Sequence, residues 1–250
     1  VNLQMNTVQG LKVIDAGAYH VAFFVNKDGS FYRLRYENGI MSNPTMTQEV
    51  HHLYKNTRAF HMINDGNVWH AFVIAGELYT NATITRYTFG NGILQAPTEI
   101  KDLGHLNNVI NGCSQLVIAR DNDNWHGFTV NPNNELVRIN FGNDLKNVPA
   151  AETLGSFNNN FNNVTSLNLI HDQNNWYLFV TNKIEHAVKQ FDFGTSLANY
   201  TPVMSNFGDL EERLKRPTGL SITKDCETYY GWALSEQTNS LVGLVWENGM

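Results

Sequence analysis

Residues 121–126, Asp-Asn-Asp-Asn-Trp-His, and residues 172–177, Asp-Gln-Asn-Asn-Trp-Tyr, are one pattern written twice. Each is an Asp, three polar residues, an aromatic, then a polar aromatic that leads into a short apolar run. The pattern recurs at Asp65-Trp69-His70 and Asp225-Tyr229-Tyr230, and more loosely at Asp15-Tyr19-His20, so the Asp residues are 50, 56, 51 and 53 positions apart. A second landmark follows each copy. Tyr36, Phe89, Phe141, Phe193 and Trp246 head the turns ENGI, GNGI, GNDL, GTSL and ENGM, at spacings of 53, 52, 52 and 53. Two landmarks holding one period near 50 residues predict a propeller, because a repeat of that size is a small sheet that cannot bury its faces alone.

Five such repeats use almost all of the 250 residues, which leaves no room for a second domain. The expected fold is all-β: a five-bladed β-propeller of four-stranded antiparallel blades, bounded roughly at 11–58, 59–112, 113–164, 165–218 and 219–250 plus 1–10. The third repeat shows the scheme, with strands expected at Gln115–Ala119, Trp125–Val130, Leu136–Phe141 and Ala150–Leu154. These segments are β-branched or aromatic and are bounded by Asn, Gly and Pro. Asp209–Lys215 is the one stretch with some helical character. Residues 1–10 resemble the last portion of a repeat, and the chain stops at Met250 where such a portion should begin. The ring is therefore expected to close by pairing the N-terminal strand, from roughly residues 1–8, with the C-terminal blade, which satisfies an otherwise open sheet edge.

Composition narrows what such a ring can do. Charged residues are 16% of the chain and the net charge is −6, with no basic stripe, which argues against nucleic acid. The polarity is instead carried by amides and hydroxyls, 34 residues being Asn, a residue that tolerates the left-handed conformations of tight loops. No run of about 18 apolar residues is present to span a membrane. Cys113 and Cys226 lie at different phases of different repeats, so no disulfide is expected between them, and neither has metal-ligand spacing.

A feature present in every repeat is read as building the repeat. Trp69, Trp125, Trp176 and Tyr229 are expected to pack between adjacent sheets. The polar aromatics His20, His70, His126, Tyr177 and Tyr230 are expected to make structural hydrogen bonds, since equivalent positions on neighbouring blades lie too far apart to share a metal. The Asp series is expected to fix turns through backbone amides. The adjacent His51 and His52 would point to opposite sides of a strand and make a poor metal pair. No metal and no cofactor is expected.

The phrases NWHGFTVN, LVRINFGNDLKNVP and RPTGLSITKD resemble the repeats of NHL-type propellers, particularly those of large extracellular and gliding-associated proteins of Bacteroidetes-type bacteria, or of a phage of such a host. The resemblance covers essentially the whole chain. It implies a binding or scaffolding propeller at a cell surface or on a virion, within a larger assembly, and it carries no catalytic residue set.

If the repeats build the ring, function should sit where they differ, on the loops at one mouth. The irregular stretches there supply Asn26, Tyr54, Arg58, Asn131, Asn182 and Arg216 as candidate ligand-binding residues. Five-bladed rings also include glycoside hydrolases, which need two carboxylates about 5–10 Å apart, projecting from the starts of the inner strands. The corresponding residues are Gly10-Leu11, Phe60-His61, Gln115-Leu116, Ser166-Leu167 and Gly219-Leu220, and none is acidic. The expectation is a non-catalytic recognition or attachment module that binds a glycan or a partner protein, with a five-bladed glycoside hydrolase as the alternative.

Overall fold

The computed structural model describes residues 7–250 except Tyr54, Asn67, Leu78, Tyr79, Asn91 and Asn248. Its architecture is a five-bladed β-propeller of antiparallel sheets. The chain divides into two compact units, residues 1–113 and 114–250.

The first unit holds two four-stranded blades. Blade 1 is β1 (Val8–Asp15), β2 (His20–Asn26), β3 (Ser30–Tyr36) and β4 (Met46–His52), and blade 2 is β5 (Thr57–Asn64), β6 (Trp69–Ala75), β7 (Thr83–Thr88) and β8 (Glu99–Asp102). The second unit holds three. Blade 3 is β9 (Val117–Asp121), β10 (Asn124–Val130), β11 (Leu136–Gly142) and β12 (Ala150–Gly155); blade 4 is β13 (Val164–Asp172), β14 (Asn175–Asn182), β15 (Ala187–Gly194) and β16 (Val203–Gly208). Blade 5 is β17 (Pro217–Asp225), β18 (Thr228–Ser235) and β19 (Ser240–Trp246). The strands foreseen in blade 3 therefore stand within about two residues of their expected bounds.

The strand expected to complete blade 5 falls on residues 1–6, outside the described residues. Residues 8–10, grouped with it in the sequence reading, belong to blade 1, where Val8 faces Asn26 and Gly10 faces Val25 across the β1–β2 ladder.

A central strand with a blade on either side is apolar on both faces. Accordingly β2, β6, β10 and β14 are buried along nearly their whole length. In the first unit Val21, Phe23, Val25 and Phe31 of blade 1 share a core with Met62, Val73, Tyr87 and Phe89 of blade 2. In the second, Phe128 and Leu136 pack with Trp176, Leu178, Phe191 and Phe193, and Phe179 and Val188 pack with Ala233, Val242 and Leu244. Each such side chain contributes about 1.5–3 kcal/mol of burial. β18 differs, alternating buried and exposed residues, with Trp232 and Leu234 about half exposed at 48% and 52%.

The connections between blades contain a repeated device. Leu106-Asn107-Asn108, Phe157-Asn158-Asn159 and Leu210-Glu211-Glu212 each run through three consecutive residues at φ between 45° and 64°. Four residues after the first of each comes a fully buried anchor, Ile110, Phe161 or Leu214. Asp209–Lys215 is thus a left-handed turn closed by Leu214 N–H donating to Asp209 O at 2.9 Å, and not the right-handed helical turn that its composition suggests.

Among the described residues no helix is long and apolar enough to cross a membrane.

Candidate functional site

Two of the repeated Asp residues join one blade to the next. Asp121, at the end of β9, accepts hydrogen bonds from Trp176 Nε1 (3.2 Å), Ser196 Oγ (2.8 Å) and Leu197 N (2.8 Å) of blade 4. Asp172 does the same toward blade 5, accepting from Tyr229 OH (2.9 Å), Lys224 Nζ (3.2 Å) and Met250 N (3.1 Å). Burial works to raise the Asp172 pKa, but these donors together hold it below the usual carboxylate value. In the first unit Asp15 and Asp65 fulfil the turn role expected from sequence, accepting from Gly17 N and Val68 N. The Asp series thus serves two purposes: blade-to-blade ties and hairpin turns.

A second set of ties was missed from sequence. Arg33 and Arg138 stand three residues before Tyr36 and Phe141, on equivalent third strands, and both are buried. The Arg138 guanidinium donates to the carbonyls of Leu197 (3.0 Å) and Asn199 (3.4 Å), and Arg33 to those of Ile93 (2.5 Å) and Gln95 (2.8 Å). Arg33 also reaches Gln48, and Arg138 binds Glu152 at 2.7 Å, which holds the Glu152 carboxyl below its usual range. An Arg at a constant offset from the turn aromatic was the available signal.

The polar aromatics are structural where partners are seen. His70 is fully buried between Asp65 (3.2 Å) and Thr88 (3.3 Å). His51 meets Tyr87 OH at 3.1 Å while His52 meets Glu49 at 3.1 Å, so the adjacent pair does point apart. Among the described residues no group of three His, Cys, Asp or Glu could hold a metal ion. No disulfide joins Cys113 and Cys226.

In each unit the hairpin between second and third strands lies beside the connection that enters the first strand. Gly76 N donates to Asn56 O (2.8 Å), Lys183 N to Asn163 O (3.1 Å) and Glu236 N to Arg216 O (3.3 Å). Asn26, Asn131 and Asn182 stand at or just past the ends of the second strands of their blades, and the three amides are inside the hairpins rather than on their surface. Asn26, Asn131 and Asn182 are 1%, 8% and 0% exposed. Asn26 Nδ2 donates to Ser30 Oγ (2.9 Å), Asn131 Oδ1 accepts from Asn133 N and Glu135 N, and Asn182 Oδ1 accepts from Glu185 N. Their offset from the strand aromatic makes them part of the repeat, which the sequence reading did not apply to them. Arg58 Nε is half-buried against Gly76 O (2.9 Å), and Arg216 is exposed, with Nε 3.5 Å from Glu236. Tyr54 lies outside the described residues.

The same face of the first unit carries an open depression of about 420 Å³ lined by Asp28, His52, Lys55, Asn56, Gly76, Glu77 and Asn81. Blade 1 supplies Asp28 and His52, the entering connection Lys55 and Asn56, and the β6–β7 loop the rest. Asp28 Oδ1 orders its own hairpin through Ser30 N (2.9 Å) and Oγ (2.7 Å), and Glu77 accepts from Asn56 Nδ2 (2.9 Å). Lys55 Nζ donates to Thr83 Oγ1 (3.2 Å) and lies 3.7 Å from Asp102. Carboxylate acceptors therefore share one cavity with ammonium and amide donors. The meeting of the β6–β7 loop with Asp28 was not visible in sequence.

The inner-strand starts are committed to packing. A Cβ on Gly10 would lie 2.6 Å from Phe60 Cβ. In the second unit Ser166 Oγ and Asn168 Nδ2 donate to Leu220 O at 3.2 and 2.8 Å, and Thr165 Oγ1 to Pro217 O at 2.7 Å.

The fold defines the class as a β-propeller. Among solved structures the chain is similar to the exo-β-1,3-galactanase of Phanerochaete chrysosporium bound to β-1,3-galactotriose, with a TM-score of 0.60 and 10% identity over 97% of this chain and 64% of that one. It thus spans under two thirds of the galactanase's length. A thermostable family-43 glycoside hydrolase gives a TM-score of 0.59 at 11% identity over 95% of this chain and 88% of that one. The SapL1 lectin, in complex with α-methyl fucoside, gives 0.56 at 11% identity over 97% and 77%. No family model and no curated protein matches the sequence.

Proposed function

We propose that the chain is a non-catalytic recognition module that binds carbohydrate on its loop-rich face, in the depression between the hairpins of blades 1 and 2. The observation that carries this reading is the lining itself. A sugar hydroxyl both donates and accepts, and Asp28, Glu77, Lys55 and Asn81 set acceptors and donors around one cavity. Its volume of about 420 Å³ falls within the range of small-ligand sites. The likeness to a fucoside-bound lectin and to glycan-cleaving propellers supports a saccharide as the ligand class. The residues at the inner-strand starts favour binding over hydrolysis: Gly10, Phe60, Gln115, Ser166 and Gly219 offer no proton donor–base pair of the kind glycoside cleavage uses.

The full chain is tested on a broad glycan array, with positives titrated by calorimetry. Binding is expected for one family of glycans, weakened at least tenfold by Lys55→Met and by Asn81→Gly, the latter suited to a residue at φ 56°. A silent array, or affinities that both variants leave unchanged, would refute the reading. The same mixtures are assayed for new reducing ends, whose appearance in proportion to protein would make the chain a hydrolase instead.

A further inference from the structure

The turn between β3 and β4 is held differently from its counterparts in the second unit. Where blades 3 and 4 bury Leu145 and Leu197 completely, blade 1 exposes Ile40 to 41%, and Met41 beside it is 96% exposed. Leu197 N donates to Asp121 of the blade before it at 2.8 Å. The blade 1 turn is fastened by its own atoms instead, Ser42 N and Oγ both donating to Gly39 O at 3.0 and 2.7 Å and Thr45 N to Arg35 O at 2.8 Å.

This turn contains Asn38-Gly39. An asparagine can react with the backbone nitrogen that follows it, which is one source of the thermal lability of the residue. Gly39 N would attack the Asn38 side-chain carbonyl carbon and form a new C–N bond, while the bond to the amide nitrogen breaks and ammonia leaves with the proton that Gly39 N gives up. Water then opens the succinimide at one carbonyl or the other, yielding aspartate or isoaspartate. The step needs a free amide, an unengaged backbone nitrogen and room beside the second residue. Asn38 is exposed, and neither its side chain nor Gly39 N–H makes a hydrogen bond among the described residues. Gly39 has φ 84°, and a Cβ placed on it would meet nothing within 4 Å.

Two other asparagines show what the setting contributes. Asn111-Gly112 has the same sequence, but Asn111 is half-buried with Oδ1 accepting from Ala82 N at 2.9 Å, and Gly112 is buried. Asn143 holds the equivalent place in the blade 3 turn and is exposed, but Asp144 follows it. Asn91 and Asn248, which also precede glycines, lie outside the described residues.

We infer that Asn38 is a modification site, at which the folded chain converts asparagine to aspartate and isoaspartate with water as the co-reactant, while the same dipeptide at Asn111 is protected. The inference is independent of the carbohydrate reading, since the seven-residue strand β3 separates this turn from the hairpin that carries Asp28.

The full chain is held at pH 8.5 and 37 °C for about four weeks, and samples are digested with trypsin and mapped by mass spectrometry. Fragmentation assigns each gain of about one mass unit to a residue and separates isoaspartate from aspartate. In the folded chain Asn38 is expected to convert at least tenfold faster than Asn111, which reacts only when its surroundings open, and at least tenfold faster than Asn143. In guanidinium chloride, with the structure gone, the lead over Asn111 should fall below about threefold while Asn143 stays slow. An unconverted Asn38, equal rates at Asn38 and Asn111 in the folded chain, or aspartate formed without isoaspartate would each overturn the inference. So would a lead over Asn111 that survives undiminished in denaturant, because flanking sequence and not the turn would then set the rate.

Discussion

Asp121 has nearly no contact with solvent, yet its two oxygens meet an indole, a hydroxyl and a backbone amide of the following blade. Removing the carboxylate strands the buried Trp176 indole and Leu197 amide, and an unsatisfied buried group costs about 1–3 kcal/mol. Asp121→Ala should therefore lose about 2–4 kcal/mol in a urea unfolding curve, and Asp121→Asn clearly less, because one acceptor oxygen remains. His126 makes a pH prediction. Burial first, then the nearby Arg138 charge, lowers its pKa below 6.5, against smaller opposing effects of Asp121 and Glu152. In the unfolded chain the imidazole titrates near 6.5. At higher pH both states are neutral. As pH falls through 6.5 the unfolded chain gains its proton before the folded one, so stability is lost down to the folded pKa. His51 adds to the loss in the same direction, its pKa lowered by burial and then by His52. Unfolding free energy should drop between pH 7.5 and 5.5, and His126→Phe should make that drop shallower.

The blade connections show how one backbone shape is met by unequal sequences. Three successive left-handed residues cost about 1–2 kcal/mol each for an ordinary side chain, and Asn lowers that cost by bonding locally. Asn occupies the second and third positions in two of the turns, but Glu211 and Glu212 occupy them in the last, at φ 60° and 64°. Glu211→Asn and Glu212→Asn should each raise the unfolding free energy by about 0.5–1 kcal/mol, read by chemical denaturation, while the same changes at ordinary strand positions should not. The arginine ties carry a related expectation. Arg138→Met keeps the stem but leaves Leu197 O without its donor and takes from Glu152 its guanidinium partner, Tyr200 OH alone remaining, and should cost about 2–3 kcal/mol.

Taken over the full chain, cohesion comes from apolar blade faces and from buried polar ties rather than from surface charge. Most of the ion pairs have at least one well-exposed partner, and such pairs contribute about 0–1 kcal/mol. Raising salt from 50 mM to 1 M should accordingly move the melting midpoint by no more than about 3 °C. A shift of 10 °C would mean that surface electrostatics matter far more than the packing of the blades suggests.

Periodicity alone was enough to establish blade number, strand order within a blade and the burial of Trp125 and Trp176, because each depends on contacts that recur at a constant offset along the chain. Other properties depend on which non-equivalent residues meet across a cleft. The amides of Asn26, Asn131 and Asn182 look available in sequence but brace hairpins, whereas Asp28 and Glu77, on loops 49 positions apart, line one cavity that no repeat position marks. A one-dimensional period records what every blade must share to pack. Whether two facing side chains meet, as Lys183 and Glu236 do, is set by their proximity in space, which no spacing rule encodes.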